Sequence, residues 1–450
     1  MNRSSRISYP ESRISSKTYH IWTIGCQMNE ADSRHLASQL EALGFMETKR
    51  AEDADIAVLN TCVVRQQPED KAVRKLTSLG GIKGSHRPGM IIALMGCMVG
   101  KREAEELAER FGFVDVFMAP SQTDALIDFV LQHDAYSHLS KAQVELADYR
   151  LPAVNQDKAI TAFVPVTLGC SHVCSYCVIP HRRGPDRSRK PDEVLSEVRA
   201  LAEQGVKEVN LLGQIVDRYG FDLDEGINLA WLLKEVAKVE GILRVRFLTS
   251  HPAYVDEELI RTVAETDKVC PYIEIPFQAG SDRILESMRR GYTQAEYRDI
   301  ISNIRKWIPD ASINTDVIVG YPTETEEDFL ETMKLAEELR IDMFHIAKYS
   351  PRPRTLSAKM KDDVSADEKE RRRTVLDDLV TNINAEKSAE LMGKTVEVLV
   401  EEFQEKKNRW RGRTPHNKLV FFESDQDCLG QLVNVKIEWA GPFSLIGSPE

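Results

Sequence analysis

No apolar run in this 450-residue chain approaches the roughly 20 residues of a membrane-spanning helix, which argues against a bilayer-embedded chain of that kind. The opening stretch, Met1 to Lys17, is rich in Ser and Arg but has no apolar h-region, so it is no secretory signal. An organelle transit peptide is the weaker reading, because it also needs amphipathic helical character. Residues 1–16 read as a disordered tail. A surplus of positive charge is missing too: 59 Lys and Arg stand against 71 Asp and Glu, for a net charge of −12. That argues against a wholly basic nucleic-acid coat and leaves room for a local basic patch. Eight cysteines without a signal peptide point to a reducing cytosol and to metal or redox use rather than disulfides. The length suits two or three domains.

What is present centres on Thr167-Leu168-Gly169-Cys170-Ser171-His172-Val173-Cys174-Ser175-Tyr176-Cys177. A structural zinc wants four ligands, usually from two C-x2-C pairs, and no partner pair follows. His172 reads as a solvated loop residue rather than a fourth ligand. Three close cysteines in a chain without a secretory signal also argue against a disulfide. Three thiolates can hold three irons of a [4Fe-4S] cubane and leave the fourth open to a small molecule. The C-x3-C-x2-C spacing, with Tyr176 just before the last cysteine and the strand-like run Phe163 to Leu168 in front, resembles the radical S-adenosylmethionine superfamily. The resemblance implies that the open iron chelates S-adenosylmethionine. Electron transfer then yields a 5′-deoxyadenosyl radical, and Tyr176 lies near the adenine.

The first third alternates strand and helix patterns, which implies a parallel sheet. Strands are expected at Tyr19–Ile24, Asp55–Leu59, Met90–Met95 and Val114–Met118. Asn29 is placed to cap a helix with an apolar face of Leu36, Leu40 and Leu43. Further helices are expected at about Pro68–Leu79 and Lys101–Phe111, and Ser121 is placed to cap a last one carrying Leu126, Ile127, Val130 and Leu131. Cys26, Cys62 and Cys97 each follow one of the first three strands. Ligands bind beyond the carboxyl ends of strands in open α/β sheets, so the three loops can bring these cysteines together. Independent burial explains one such cysteine easily and three at equivalent positions poorly. A second three-cysteine [4Fe-4S] cluster is the preferred reading.

Gly25-Cys26-Gln27-Met28-Asn29, Asn60-Thr61-Cys62 and Gly96-Cys97-Met98, followed by the triplet, are similar to the methylthiotransferase family, radical enzymes with two clusters. Residues 17–150 would form its N-terminal domain. Residues 151–160 read as a linker. Within 151–385, six apolar runs, Phe163–Leu168, Val206–Leu212, Leu243–Leu248, Tyr272–Phe277, Ile313–Val319 and Met343–Tyr349, suggest a partial (β/α)6 barrel with its function at the C-terminal strand ends. Helices such as Asp192–Gln204 and Tyr297–Trp307 separate them, and Thr323 with Glu326 reads as a capping box. Gly213, Gln214, Thr249-Ser250-His251-Pro252, Gln278 and Val319 stand at or near strand ends. The resemblance implies that Gly213 and Gln214 lie near the methionine part of S-adenosylmethionine and that Ser250, Gln278 and Val319 line the pocket. Leu168, Ile215, Thr323, Arg354 and Leu356 depart from residues common in the family.

A charged helix, Ala366 to Leu391, should lead out of the barrel with Leu376, Leu379, Ile383 and Leu391 on one face. Residues 386–450 then show period-2 runs at Thr395–Val400, Lys418–Phe422 and Leu432–Ile437, the pattern of a small OB-like β-barrel. It resembles the TRAM domain, an RNA-binding module. Two basic stretches suit RNA phosphates: Arg182, Arg183, Arg187 and Arg189, and then Lys406, Lys407, Arg409, Arg411 and Arg413 around Trp410. Solvated loops are the bland reading of both. Cys270 and Cys428 read as ordinary core cysteines.

Taken together, the resemblance implies a cytoplasmic, monomeric enzyme with two [4Fe-4S] clusters that consumes two S-adenosylmethionine molecules per turnover. The Gly-Cys-Gln-Met-Asn and Thr-Ser-His-Pro matches favour the subgroup that acts on N6-isopentenyladenosine at tRNA position 37. One S-adenosylmethionine would methylate a sulfur species on the N-terminal cluster. The other would give the radical that removes hydrogen from adenine C2. The adenine would be splayed out of the anticodon loop. The same chemistry on N6-threonylcarbamoyladenosine tRNA or on a ribosomal protein stays open, as does a non-catalytic RNA-binding protein with structural metal.

Overall fold

The structure, a computed structural model, describes residues 17–63, 66–100, 103–133, 136, 139–140 and 159–450. The expected tail and most of the expected linker lie outside these residues. The protein is α/β, with an open parallel sheet, a six-stranded partial barrel and a small closed β-barrel in chain order.

The first sheet holds β1 (Thr18–Thr23), β2 (Met46–Glu47), β3 (Ile56–Thr61), β4 (Ile91–Gly96) and β5 (Val116–Met118), in the order β2-β1-β3-β4-β5. Every residue of β3 and β4 is buried, as expected of parallel strands covered on both faces. The helices are α1 (Gln27–Ala42), α2 (Gln66–Ser85), α3 (Glu103–Arg110) and α4 (Asp124–Gln132). Leu36, Leu40 and Leu43 of the first helical face are buried as its spacing requires. Two expected caps are corrected. Cys26, not Asn29, is the N-cap of α1, and Asn29 lies inside the helix with its side chain turned to β3. Thr123, not Ser121, precedes α4; Ser121 sits in the left-handed region at φ 59° and its hydroxyl donates to Asp32 at 2.7 Å.

The central strands are β6 (Thr161–Pro165), β9 (Glu208–Leu212), β10 (Arg244–Leu248), β11 (Tyr272–Glu274), β12 (Ser312–Val319) and β13 (Met343–Lys348). They form two three-stranded parallel sheets. Backbone bonds between Val245 and Cys270 (2.9 Å) and between Ser250 and Glu274 (3.0 Å) join the two sheets into one curved wall. A short ribbon, β7 (Thr167–Leu168) with β8 (Arg187–Ser188), splits off after β6; the expected first strand ran through both. The outer helices are α5 (Ile179–Arg183), α6 (Pro191–Glu203), α7 (Leu229–Ala237), α8 (Glu257–Glu265), α9 (Asp282–Ser287), α10 (Gln294–Trp307) and α11 (Glu326–Leu339). The capping box of α11 is Thr325 with Asp328, two residues beyond the expected one. Thr323 cannot take that place: it sits at φ 70° with its amide donating to Asp363 at 2.8 Å.

α12 (Ala366–Ala389) packs along the last barrel strand. Leu376 and Ile383 are buried, while Leu391 beyond its end packs into the small C-terminal core. That core closes within β14 (Thr395–Gln404), β15 (Arg409–Arg413), β16 (Leu419–Phe422), β17 (Leu432–Ala440) and β18 (Ser444–Pro449), in the order β14-β15-β16-β18-β17. Two of these strands, β15 and β18, were not expected.

Candidate active site

The three N-terminal cysteines stand in adjacent loops because their strands are neighbours. Asn29 and Asn60 lock those loops together. Asn29 Nδ2 donates to Asn60 Oδ1 at 2.7 Å and to the Thr61 carbonyl at 3.0 Å, and Asn60 Nδ2 returns a bond to the Asn29 carbonyl at 2.8 Å. Cys97 N donates to the Thr61 carbonyl at 2.8 Å. Gly96 makes this approach possible. Its φ is +98°, and a Cβ there would collide with the Thr61 carbonyl. Cys62 and Cys97 are buried and Cys26 is exposed. Burial pushes the Cys97 thiol up, opposed by the nearby Arg183 guanidinium.

The second triplet lies in the loop after β7. Cys170 N donates to the Gly184 carbonyl at 2.9 Å. Gly169, at φ +80°, leaves no room for a Cβ, which would strike the Pro185 carbonyl. Ser175 anchors the rest of the loop, its amide to the Met288 carbonyl at 3.0 Å and its hydroxyl to the Ser287 carbonyl and Tyr321 Oη, both at 2.8 Å. Arg290, which no sequence pattern signalled, donates to Cys174 Sγ at 3.2 Å. Burial raises the Cys174 thiol, but His172 and Arg290 outweigh it and bring it down to about 7. Burial leaves Cys170 at about 11 and Cys177 at about 12.

Among the described residues no three His, Cys, Asp or Glu side chains converge tightly enough for a single metal ion. A cubane spreads its thiolates over a wider base, and each triplet supplies three thiols with a buried arginine beside one of them. Both triplets touch one apolar cluster: Cys97, Met98 and Val99 from the first sheet pack with Cys170, Val178, Ile179 and Ile215.

The expected S-adenosylmethionine residues surround the barrel mouth unequally. Tyr176 is half-buried against the barrel core. Gly213 cannot carry a side chain, since a Cβ would lie 2.8 Å from Val216 Cα; Gln214 beside it is half-buried. Gln278 is held at φ 71° by backbone bonds to Asp316 and Ile318, both 2.9 Å. The Val319 side chain is wholly inside the core. Ser250 Oγ and His251 Nε2 are buried without a protein partner, which fits a rim built to receive a polar ligand. Burial, Arg290 and His172 hold His251 neutral, down to about 2.

The basic residues divide. Arg183 and Arg189 form ion pairs within the protein: Arg183 bonds Asp32 at 3.2 Å and Arg189 bonds Glu197 at 2.6 Å. Arg182, Arg183 and Arg187 line a cavity of about 950 Å³ together with His181, Arg354 and Lys359, and among the described residues no carboxylate lines it. Trp410 faces the C-terminal core and donates to the Ser424 carbonyl at 3.2 Å, so it offers no face to a base. Arg411 and Arg413 lie against Glu401 and Glu402, and Arg409 stacks on Phe421 at 3.7 Å. Lys406 and Lys407 project into solvent.

The Radical SAM superfamily profile matches residues 164–336, that of the uncharacterized protein family UPF0004 residues 18–119, and that of the TRAM domain residues 390–449. A tRNA-2-methylthio-N(6)-dimethylallyladenosine synthase from Herpetosiphon aurantiacus is 44% identical over 96% of this chain and 97% of its own. Its counterpart from Chloroflexus aurantiacus is 45% identical over 96% and 92%. The chain belongs to the tRNA-2-methylthio-N(6)-dimethylallyladenosine synthase family. It is a radical S-adenosylmethionine enzyme, whose cofactors are S-adenosylmethionine and a [4Fe-4S] cluster. The radical S-adenosylmethionine methyltransferase TsrM from Kitasatospora setae shares the fold, with a TM-score of 0.53 at 14% identity over 74% of this chain and 75% of that one. No helix among the described residues is long and apolar enough to cross a membrane.

Proposed function

We propose that this protein is a tRNA methylthiotransferase that converts N6-isopentenyladenosine at position 37 to its 2-methylthio derivative. The observation that carries the reading is the meeting of two cysteine triplets, each at the carboxyl ends of its own sheet, on one shared apolar cluster. Cys170, Cys174 and Cys177 would hold the radical cluster, and Cys26, Cys62 and Cys97 a second [4Fe-4S] cluster for sulfur. With two molecules of S-adenosylmethionine these groups supply a radical for hydrogen removal at adenine C2 and a methyl group for sulfur.

The residues of the chain bind and orient. Ser250, His251, Gln214 and Gln278 line the rim where S-adenosylmethionine would lie, with Tyr176 at its adenine and Gly213 keeping the floor open. A cavity of about 630 Å³ runs through the barrel interior from Gln27, next to Cys26, past Glu274 and Asn314 to Phe443 of the C-terminal barrel. It is large enough for a nucleoside splayed from the anticodon loop. Arg182, Arg187, Arg354 and Lys359 suit the RNA backbone on one side, and Lys406 and Lys407 on the other. The cytosol is where a reduced enzyme and its tRNA would meet.

Digestion and mass spectrometry of tRNA from a deletion strain test the reading. The 2-methylthio-isopentenyl nucleoside should disappear, with its unthiolated precursor accumulating. Persistence of the modified nucleoside would sink it.

A further inference from the structure

Arg183 lies where the two cysteine triplets meet. It ends α5, six residues after Cys177, and the next residue, Gly184, accepts the Cys170 amide at 2.9 Å. Its side chain leaves the barrel for the first sheet. Nη1 donates to Ser121 Oγ and Nη2 to Asp32 Oδ2, both at 3.2 Å, and the charge lies near the Cys97 thiol, whose apolar cluster includes Ile179 one turn earlier on α5. Both members of the Arg183–Asp32 pair are enclosed, with side chains 3% and 5% exposed. Asp32 also accepts from Ser121 at 2.7 Å, so its charge is divided between two donors. Arg183 Nε is buried with no acceptor in the protein. A buried donor without an acceptor is uncommon and calls for one.

We propose that Arg183 is a positioning residue for the N-terminal cluster, donating to its Cys97 side and raising its reduction potential. This rests on the reading that Cys26, Cys62 and Cys97 hold a [4Fe-4S] cluster. The physics is that of any hydrogen bond to a cluster sulfur: reduction adds one negative charge, and a nearby buried cation stabilises the more negative state. In the other triplet Arg290 donates to Cys174 Sγ at 3.2 Å, so each centre has a cation close to it. Arg183 differs in being supplied by the opposite half of the protein.

The test is an anaerobic potentiometric titration of the reconstituted full chain, followed by electron paramagnetic resonance, with iron and sulfide counted in the same samples. Arg183→Gln should lower the potential of one cluster and leave the other where it was; a tenfold fall in the reduction equilibrium reads as about 59 mV for one electron. Asp32→Asn, which frees the cation from its carboxylate, should move the same cluster the opposite way. If Arg183→Gln does not fold, Asp32→Asn decides alone. A purely structural role would reduce cluster occupancy without moving either potential. About eight irons in the wild type with unmoved potentials in the variants would overturn the tuning role alone. About four irons would remove the two-cluster reading and the tuning role with it.

Discussion

At the scale of single residues, the six ligand candidates and their grouping were legible, because cysteine is chemically conspicuous and each stands beside a strand. The arginines that face them were not. Arg290 is 116 residues from Cys174 and Arg183 is 151 from Asp32, and no local pattern marks a pairing at that separation. The two triplets should be separable. Cys62→Ala should remove the N-terminal cluster, leave cleavage of S-adenosylmethionine to 5′-deoxyadenosine intact and abolish methylthiolated tRNA. Cys174→Ala should abolish cleavage while the N-terminal cluster stays visible by iron content and electron paramagnetic resonance. A Cys62→Ala protein that lacks its cluster yet methylthiolates at the native rate would remove the sulfur role of the first domain. Glu274 offers a prediction in pH. Burial, with Asp316 beside it, pushes this cavity carboxyl up to about 8. The folded state therefore holds a proton that the unfolded state has already released, and stability falls as pH rises from the usual carboxylate range through about 8. Glu274→Gln should flatten that fall, which is at most a few kcal/mol. Denaturant unfolding at pH 6 and pH 9 measures it; parallel losses in both proteins would show that another group is responsible.

At the scale of elements, the runs of Val, Ile and Leu announced the parallel strands within a few residues of their ends, except the two-residue edge strand β2. What the patterns missed is instructive. The β15 segment Arg-Trp-Arg-Gly-Arg looked like a basic loop because its outward residues are all cationic. In the barrel those cations lie beside Glu401 and Glu402 or an aromatic ring, and the single inward aromatic fills the core. Alternation over five residues, with Gly412 buried at the fourth place, was the available signal. β18 was missed for a related reason: Gly447 and Pro449 broke its pattern, and Gly447 is needed where the Lys436 carbonyl approaches. Two outcomes follow. Trp410→Ala should destabilise the C-terminal barrel by roughly 3–5 kcal/mol, seen as a lower denaturant midpoint. Lys406→Ala with Lys407→Ala should leave stability unchanged, weaken tRNA binding and reduce its salt slope by about 1.4–1.8. An unaltered slope would take this turn out of the interface.

At the scale of the whole molecule, buried arginines join the parts. Arg246, 2% exposed and paired with Glu208 at 3.0 Å, reaches out of the barrel to the carbonyls of Thr414 and Pro415 at 2.8 and 2.6 Å. Arg246→Met should cost about 3–5 kcal/mol, because it strands the Glu208 carboxylate in the interior. Adding Glu208→Gln should return much of that loss; a double variant no more stable than the single one would show that the docking bonds, not the stranded charge, carry the cost. On the opposite flank, Arg34 of α1 meets Glu197 at 2.6 Å, and the Arg183–Asp32 pair makes a separate link from the same helix. These contacts also set a clock. The N-terminal sheet leaves the ribosome first, and at roughly 5–20 residues per second Arg183 follows Cys97, which stands 86 residues before it, by about 4–17 s. Through that interval Cys97 lacks its cation and the barrel's share of its apolar cover, which comes from Cys170, Val178, Ile179 and Ile215. During synthesis the N-terminal cysteines would thus be more open to a cluster donor than in the finished protein, where Cys26 alone of the three stays exposed.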